Sequence, residues 1–334
     1  MEKIFKKLLE NKNLTENETY DIFNQIMEGK ISPVKTGVFL TLLRVKGESA
    51  EEVTGAVKLL RDKMIKIKLK KTKICDTCGT GGDYSQTFNI STICAIVSSC
   101  LGLTIAKHGN RSQTSLCGSA DVLEYLGYKI DIEPEKSKKL LEKFGFAFLF
   151  APLYHKTMKN VVEIRKELGF KTIFNIIGPL SNPALANYQI MGVNEYNLLK
   201  IIPYVFKNLG IKGYVFHSED GLDEITLTGK TYIVEINEEI NEFEISPEDF
   251  NLKRCKLQDI KGGSVKENAE ILLNIIKGKE KGPKKDIVCL NTAFLLKATG
   301  RVKKIEEGIE LSKEILTKGI PYNKFNEIVE YIRK

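Results

Sequence analysis

Four groups of residues in this 334-residue chain have the types and spacing to do chemistry. The first is Asp76–Thr92, DTCGTGGDYSQTFNIST, in which Gly79, Gly81 and Gly82 fall within four positions after the short apolar strand end Ile74-Cys75. Glycine admits a positive φ and lets a ligand approach the main chain closely. Asp83 closes the run, and Asn89, Ile90, Ser91 and Thr92 stand where the apolar stretch Ile93–Val97 starts a helix. Free N–H groups and the positive end of the helix dipole favour a phosphate there, and Thr80 and Thr87 add hydroxyls. The spacing is not the dinucleotide fingerprint, whose third glycine would fall on Tyr84, and no Gly-Lys-Ser/Thr follows. The residues alone leave two readings open, a tight strand-to-helix connection and a phosphate-handling loop.

The second group follows the apolar strand Leu103–Ala106: Lys107, His108, Gly109, Asn110, Arg111 and Ser112. Two cations, an imidazole and an amide at a second strand end suit a polyphosphate, since open α/β sheets collect ligands at the carboxyl ends of their strands. A solvated basic turn is the alternative. The third group is Asp223-Glu224, just past a strand. Paired carboxylates suit Mg²⁺, and equally a solvated acidic turn. The fourth is Arg165, on a helix after His155, which is either a surface charge or a fork for a carboxylate.

The elements that must position these groups change character near Lys73. Before it, Ile4, Phe5, Leu8 and Leu9, then Ile22, Phe23, Ile26 and Met27, recur with helical period. Ser32-Pro33 starts a third helix with Val34, Val38, Leu42 and Val45 on one side, and Ser49–Glu52 is a capping box for a fourth. After Lys73, strands near Ile74, Leu103–Ala106, Phe146–Phe150, Ile190–Val193, Tyr214–Phe216 and Tyr232–Ile236 alternate with helices over Ser91–Cys100, Ala120–Leu126, Glu133–Phe144 and Tyr196–Leu209. That alternation predicts an α/β fold with a mostly parallel central sheet flanked by helices. Beyond Gly262-Gly263 the pattern is mainly helical. The predicted organisation is a small all-α domain over 1–72 and a larger α/β domain over 73–334. The lysine-rich run Lys63–Lys73 reads as a solvated hinge or an edge strand.

Net charge is +8, from 51 Lys and Arg against 43 Asp and Glu, which suits an anionic small molecule and permits weak nucleic-acid binding. The lysines are scattered among acids rather than gathered in a stripe, so no nucleic-acid partner is expected. No apolar run approaches the ~20 residues that span a bilayer, and Met1–Asn13 lacks a secretory pattern, so neither a membrane partner nor export is expected, and the expected location is the cytoplasm. The seven cysteines read as reduced core residues, and Cys75-Asp76-Thr77-Cys78 has no second pair to make a zinc site.

GTGGD, then TFNIST, KHGNR, GSAD and FNIIGPLSNP, in that order and spacing, resemble anthranilate phosphoribosyltransferase, from about Leu14 to the C-terminus. The resemblance implies the two-domain fold of the nucleoside phosphorylase and phosphoribosyltransferase type, with a helical segment near 156–182 completing the first domain. It implies a homodimer through that domain. The activity implied is transfer of the phosphoribosyl group of 5-phosphoribosyl 1-pyrophosphate to the amine of anthranilate, in tryptophan biosynthesis. By position, the phosphoribosyl pyrophosphate site would comprise Gly79, Gly82, Asp83, Thr87, Asn89, Ile90, Ser91 and Thr92. Lys107, His108, Gly109, Asn110, Arg111, Ser112, Gln113, Thr114 and Ser115 would continue it, and Ser119 would close it. Two Mg²⁺ ions per subunit would be held by Ser91, Asp223 and Glu224, with Glu224 bridging them. Gly79, Asn110 and Arg165 would meet anthranilate, and Lys107, Asn110 and Arg165 would carry the catalysis, with His108 and His155 near the aromatic ring and His217 structural. Three positions depart from the family pattern: Leu116 and Cys117 stand where a lysine and a serine are usual, and Lys171 replaces an arginine. A pyrimidine-nucleoside phosphorylase shares the two-domain plan, but its basic loop differs from KHGNR.

Overall fold

A computed structural model of the chain describes residues 1–82, 86–112 and 116–334. The chain opens with four helices, α1 (Glu2–Leu9), α2 (Glu16–Met27), α3 (Pro33–Lys46) and α4 (Ala50–Lys63). Their starts obey local chemistry. Thr15 and Ser49 each close a capping box with the glutamate three residues on, and Pro33 sits in the first turn of α3 behind the Ser32 cap. Glu52 is fully buried, and its carboxylate is satisfied by Leu14 N, Ser49 N and the Lys46 ammonium.

The rest builds one sheet: β1 (Cys75–Asp76), α5 (Ile90–Cys100), β2 (Ile105–Gly109), α6 (Ser119–Tyr125), α7 (Pro134–Phe144), β3 (Phe146–Phe150), α8 (Ala151–Tyr154), α9 (Lys159–Leu168), α10 (Ile173–Ile177), β4 (Tyr188–Gly192), α11 (Ile202–Leu209), β5 (Lys212–Ser218), β6 (Thr231–Ile236) and β7 (Ile240–Ile245). Four helices finish the chain: α12 (Val265–Ile276), α13 (Pro283–Ala298), α14 (Ile305–Thr317) and α15 (Ile320–Arg333). The strand order is β3-β2-β1-β4-β5-β6-β7. The first five positions run parallel, and β6 and β7 are antiparallel. The predicted mostly parallel sheet with helices about it is therefore the observed one. Strand order reverses between β1 and β4, so the crevice that such a reversal opens lies beyond the C-terminal end of β1.

Two cores flank the sheet. One packs α5, α7 and α12–α15 against β1–β3 and one face of β5. The other joins α1–α4 to α10, Val161 of α9, α11 and the opposite face of β4–β6. The segment from α9 to α10 thus returns the chain to the N-terminal helices, where Phe174 lies 5.6 Å from Phe23, ring to ring.

Several sequence expectations change. The run 63–73 is no edge strand: the sheet edges are β3 and β7. Instead Met64 and Ile67 are buried, and Ile65 and Ile67 donate to the carbonyls of Tyr154 and Pro183. The expected helix Tyr196–Leu209 is a 3₁₀ turn over Tyr196–Lys200 followed by α11, because Pro203 has no N–H to continue a helix through. On α3 the buried face is Phe39, Leu40 and Leu43, while Val34 and Val45 are 76% and 80% exposed. β7 escaped the sequence pattern because INEFEI is an edge strand whose middle residues face solvent.

Candidate active site

A cleft of about 720 Å³ opens beyond the C-terminal ends of β1 and β2, walled on its far side by α4, α8 and α9. Its floor is built on β1. Asp76 is fully buried; one carboxylate oxygen accepts from Thr77 N (2.7 Å) and His108 N (3.2 Å), the other from Asn182 Nδ2 (2.7 Å). Burial lifts its pKa to about 6, against the pull of Lys107 and these hydrogen bonds. A buried carboxylate needs such partners, and here they lock the end of β1 to β2.

Lys107, 2% exposed, donates from Nζ to Thr77 O (2.8 Å), Ser91 Oγ (3.2 Å) and Thr77 Oγ1 (3.4 Å). Its charge lies beneath the start of α5, and its protons orient the Ser91 hydroxyl. No carboxylate pairs with it among the salt bridges of the described residues.

The glycine loop lies above. Gly81 and Gly82 have φ of 62° and 71°, the left-handed region that glycine allows. Gly81 N donates to Asp223 Oδ2 (2.7 Å), and Ser91 N donates to Glu224 Oε1 (3.2 Å). The loop after β5 thus lays both carboxylates across the N–H groups of the β1 loop and of α5. A side chain at Gly79 would crowd this arrangement: its Cβ would stand 2.8 Å from Asp223 Oδ2, displacing that carboxylate, and 3.1 Å from Gly192 O. Among the described residues no cluster of three or more His, Cys, Asp or Glu is spaced to enclose a metal. Two carboxylates, the Ser91 hydroxyl and open space before them make an incomplete all-oxygen donor set. That fits Mg²⁺, which keeps waters and shares phosphate oxygens, and does not fit zinc.

The opposite wall is aromatic and cationic. Arg165, from α9, lies 5.4 Å above the Phe174 ring, and burial draws its pKa below the ordinary guanidinium value. No carboxylate pairs with it among the described residues. His108 and His155 have ring centroids 5.1 Å apart, and each Nε2 is buried with no hydrogen-bond partner. Burial pushes His108 well below its ordinary value, with the other imidazole and Lys107 adding to the effect, and pushes His155 to about 4. Both rings are neutral at pH 7. His217 lies apart, its Nδ1 2.7 Å from Val193 O and its ring against Tyr196.

Of the residues singled out from the sequence, Gly79, Gly82, Thr87, Asn89, Ile90, Ser91, Thr92, Lys107, His108, Gly109, Asn110, Arg111, Ser119, Arg165, Asp223 and Glu224 all line this cleft. Ser112 does not; its N–H donates to Asp121 Oδ2 (3.1 Å). Asp83, Gln113, Thr114 and Ser115 lie outside the described residues. The Arg111 guanidinium is committed to Asp121 and Glu124, which hold its pKa above the usual value. Asn110 Oδ1 accepts from Arg111 N (2.8 Å). Sequence reasoning gave no role to Asp76, Asn182 or Asn194 and read Lys171 only as a replaced arginine. Asp76 carried a signal as a carboxylate set in an apolar strand end, Asn182 lay inside the FNIIGPLSNP motif, and Asn194 carried none.

The chain matches two family models, "Glycosyl transferase family, helical bundle domain" over residues 2–64 and "Glycosyl transferase family, a/b domain" over residues 71–322. The anthranilate phosphoribosyltransferase of Caldanaerobacter subterraneus subsp. tengcongensis is 48% identical over 336 residues, covering 100% of this chain and 99% of the relative. That of Persephonella marina is 44% identical over 329 residues, 98% of this chain and 97% of the relative. Among solved structures, the anthranilate phosphoribosyltransferase of Thermus thermophilus superposes with a TM-score of 0.94 at 35% identity, over 99% of each chain. The enzyme from Saccharomyces cerevisiae, solved in complex with PRPP and Mg, gives 0.91 at 30% identity, over 98% of this chain and 96% of that one.

Proposed function

This chain belongs to the anthranilate phosphoribosyltransferase family, and on that premise we propose how its cleft transfers the phosphoribosyl group of 5-phosphoribosyl 1-pyrophosphate to anthranilate, a step of tryptophan biosynthesis. The anthranilate nitrogen attacks ribose C1, the bond from C1 to the diphosphate oxygen breaks, and pyrophosphate leaves with that electron pair. The amine then gives up a proton to solvent water or to the released pyrophosphate. The observation that carries this reading is the meeting, at the reversal of strand order, of the Gly81 loop, the start of α5 and the Asp223-Glu224 pair, across the cleft from Arg165.

The diphosphate lies over the loop 79–82 and the first turn of α5, where the helix dipole and N–H groups other than those of Thr80, Gly81 and Ser91, which donate to Gly192 O, Asp223 and Glu224, favour anionic oxygens. Lys107 adds a positive charge from below without leaving its three acceptors, so it acts through the field more than by contact. Ser91, Asp223 and Glu224 would hold Mg²⁺, two ions with Glu224 shared between them. Bound Mg²⁺ supplies neutralisation of the diphosphate charge as it grows on the leaving group. Asn110 and the continuation of its loop position the sugar end.

Arg165 takes the anthranilate carboxylate as a two-pronged partner, and the neutral imidazoles of His108 and His155 border the ring. Holding the amine in line with C1 removes the entropy of a bimolecular encounter. The helical unit, 1–72 with the return segment near 156–182, provides this acceptor side of the cleft. The exposed side of α3, with Val34, Val38 and Val45, is the face we assign to a homodimer. Among the described residues no helix is long and apolar enough to cross a membrane. The highly charged sugar diphosphate does not cross membranes unaided, and the reading assigns the enzyme to the cytoplasm.

The test is direct. Purified protein given anthranilate, phosphoribosyl pyrophosphate and Mg²⁺ should consume anthranilate fluorescence and release pyrophosphate one for one. Chelator should stop both, and thymidine with phosphate should not react. A folded protein that leaves anthranilate untouched would end the proposal.

A further inference from the structure

The glycine loop is held from outside the cleft by a residue just past the end of another strand, β4. Beyond β4 the chain runs beside residues 79–82 as though extending the sheet. Thr80 N donates to Gly192 O (3.0 Å), Asn194 N donates to Thr80 Oγ1 (3.1 Å), and Asn194 Nδ2 donates to both Gly81 O (2.7 Å) and Gly82 O (3.2 Å). The Lys171 ammonium also donates to Gly82 O, at 2.7 Å. The next residue, Glu195, is tied to the helical unit through Arg44 Nη2 at 2.8 Å.

This arrangement matters because of the peptide group itself. A trans peptide points its C=O and the following N–H in opposite directions. Pinning Gly81 O toward Asn194 therefore turns the Gly82 N–H the other way. Two consecutive glycines in the left-handed region have the least intrinsic preference of any pair of residues. Without an external hold the peptide between them is free to flip, presenting a carbonyl oxygen where an anion requires a donor. We propose that Asn194 is a positioning residue for diphosphate binding, which fixes the direction of the Gly81–Gly82 peptide by donating to its carbonyl and to the next one.

The inference rests on the reading of the cleft as the phosphoribosyl pyrophosphate site, and its test separates the two. Wild type, Asn194→Ala and Asn194→Asp are compared. The aspartate is isosteric but cannot donate. Calorimetric titration with phosphoribosyl pyrophosphate and Mg²⁺ should show affinity weakened about ten- to thirtyfold in both variants, the loss of two neutral hydrogen bonds. The KM for anthranilate should stay within about twofold. Amide exchange of the peptide spanning 77–82 should accelerate in both variants without ligand, while the melting temperature stays near the wild-type value.

Wild-type affinity together with wild-type exchange in Asn194→Ala would overturn the proposal. So would an Asn194→Asp variant that behaves as wild type, or a parallel rise of both substrate constants with a fall in melting temperature. Failure of the wild-type protein to bind phosphoribosyl pyrophosphate would instead defeat the reading of the cleft, and the exchange measurement would still decide the role of Asn194.

Discussion

Arg165→Ala offers a clean test of the acceptor site. The guanidinium stacks on Phe174 at 5.4 Å and has no acid partner among the described residues, so its removal orphans no buried carboxylate there. The stability loss should be that of one cation–π contact, about 1 kcal/mol. The catalytic loss should be larger. A charge-assisted hydrogen bond is worth about 1.5–3 kcal/mol, so a two-pronged contact, discounted for shared desolvation, gives about 3 kcal/mol. That is roughly a hundredfold to two-hundredfold in kcat/KM for anthranilate. Affinity for phosphoribosyl pyrophosphate should be unchanged. Steady-state fluorescence kinetics with each substrate varied would measure both. Anthranilamide sharpens the result: wild type should prefer anthranilate over the amide by about the same factor, and in Arg165→Ala the preference should vanish. Arg165→Lys keeps the charge without the planar fork and should fall between. A variant with unaltered anthranilate kinetics, or one that still distinguishes acid from amide, would refute the assignment.

Three other perturbations probe separate parts of the argument. Glu224→Gln should raise the Mg²⁺ concentration for half-maximal rate by at least about tenfold and more than Asp223→Asn does, since Glu224 is assigned to both ions; equal effects in a metal titration would contradict the bridging role. His155 has a folded pKa of about 4 against about 6.5 when unfolded, so the unfolded state binds the extra proton between those values and stability falls as pH drops through that window, by up to about 3 kcal/mol. Denaturant unfolding at stepped pH should show that loss in wild type and a flatter profile in His155→Asn; identical profiles would mean that His155 is not the source. Val34→Glu with Val45→Glu places two charges on the exposed side of α3 and should leave a monomer by light scattering, whereas an unchanged mass would move the dimer interface elsewhere.

Much of this architecture was legible from periodicity and punctuation. β3 is an unbroken apolar run, the Ser49–Glu52 capping box sits where its spacing puts it, and the glycine loop stands at a strand-to-helix junction. Pattern left matters open, or hid an element, where it lacks tertiary context. Val34, Val38 and Val45 form a stripe as regular as a core stripe, yet the neighbouring turn carries Phe39, Leu40 and Leu43, and the larger residues face inward. β7 was hidden because an edge strand with solvent on its middle residues loses alternation. In the cleft, motif residues were recognisable, but the contacts that support them were not. Asn182, Lys171 and Asn194 are single polar residues whose meaning comes from carbonyls distant in the chain, at Ala106, Gly82 and Gly81.

Those supports explain how a carboxylate pair comes to rest on a loop more than a hundred residues away in sequence. β4 lies between β1 and β5, so the turn after β5 can reach the β1 loop only by crossing the end of β4. Any side chain there would block it: a Cβ on Gly192 would lie 1.7 Å from Asp223 O. Gly79 removes the matching obstacle on the β1 side, 2.8 Å from Asp223 Oδ2. The two glycines therefore act as clearances rather than as hinges, and neither has a positive φ. Asp223 can then settle on Gly81 N while Asn194 holds the loop's carbonyls from the same strand end. Donor groups, carboxylates and the buried Lys107 charge are brought within one crevice by the close crossing of these segments and the side chains that tie them together.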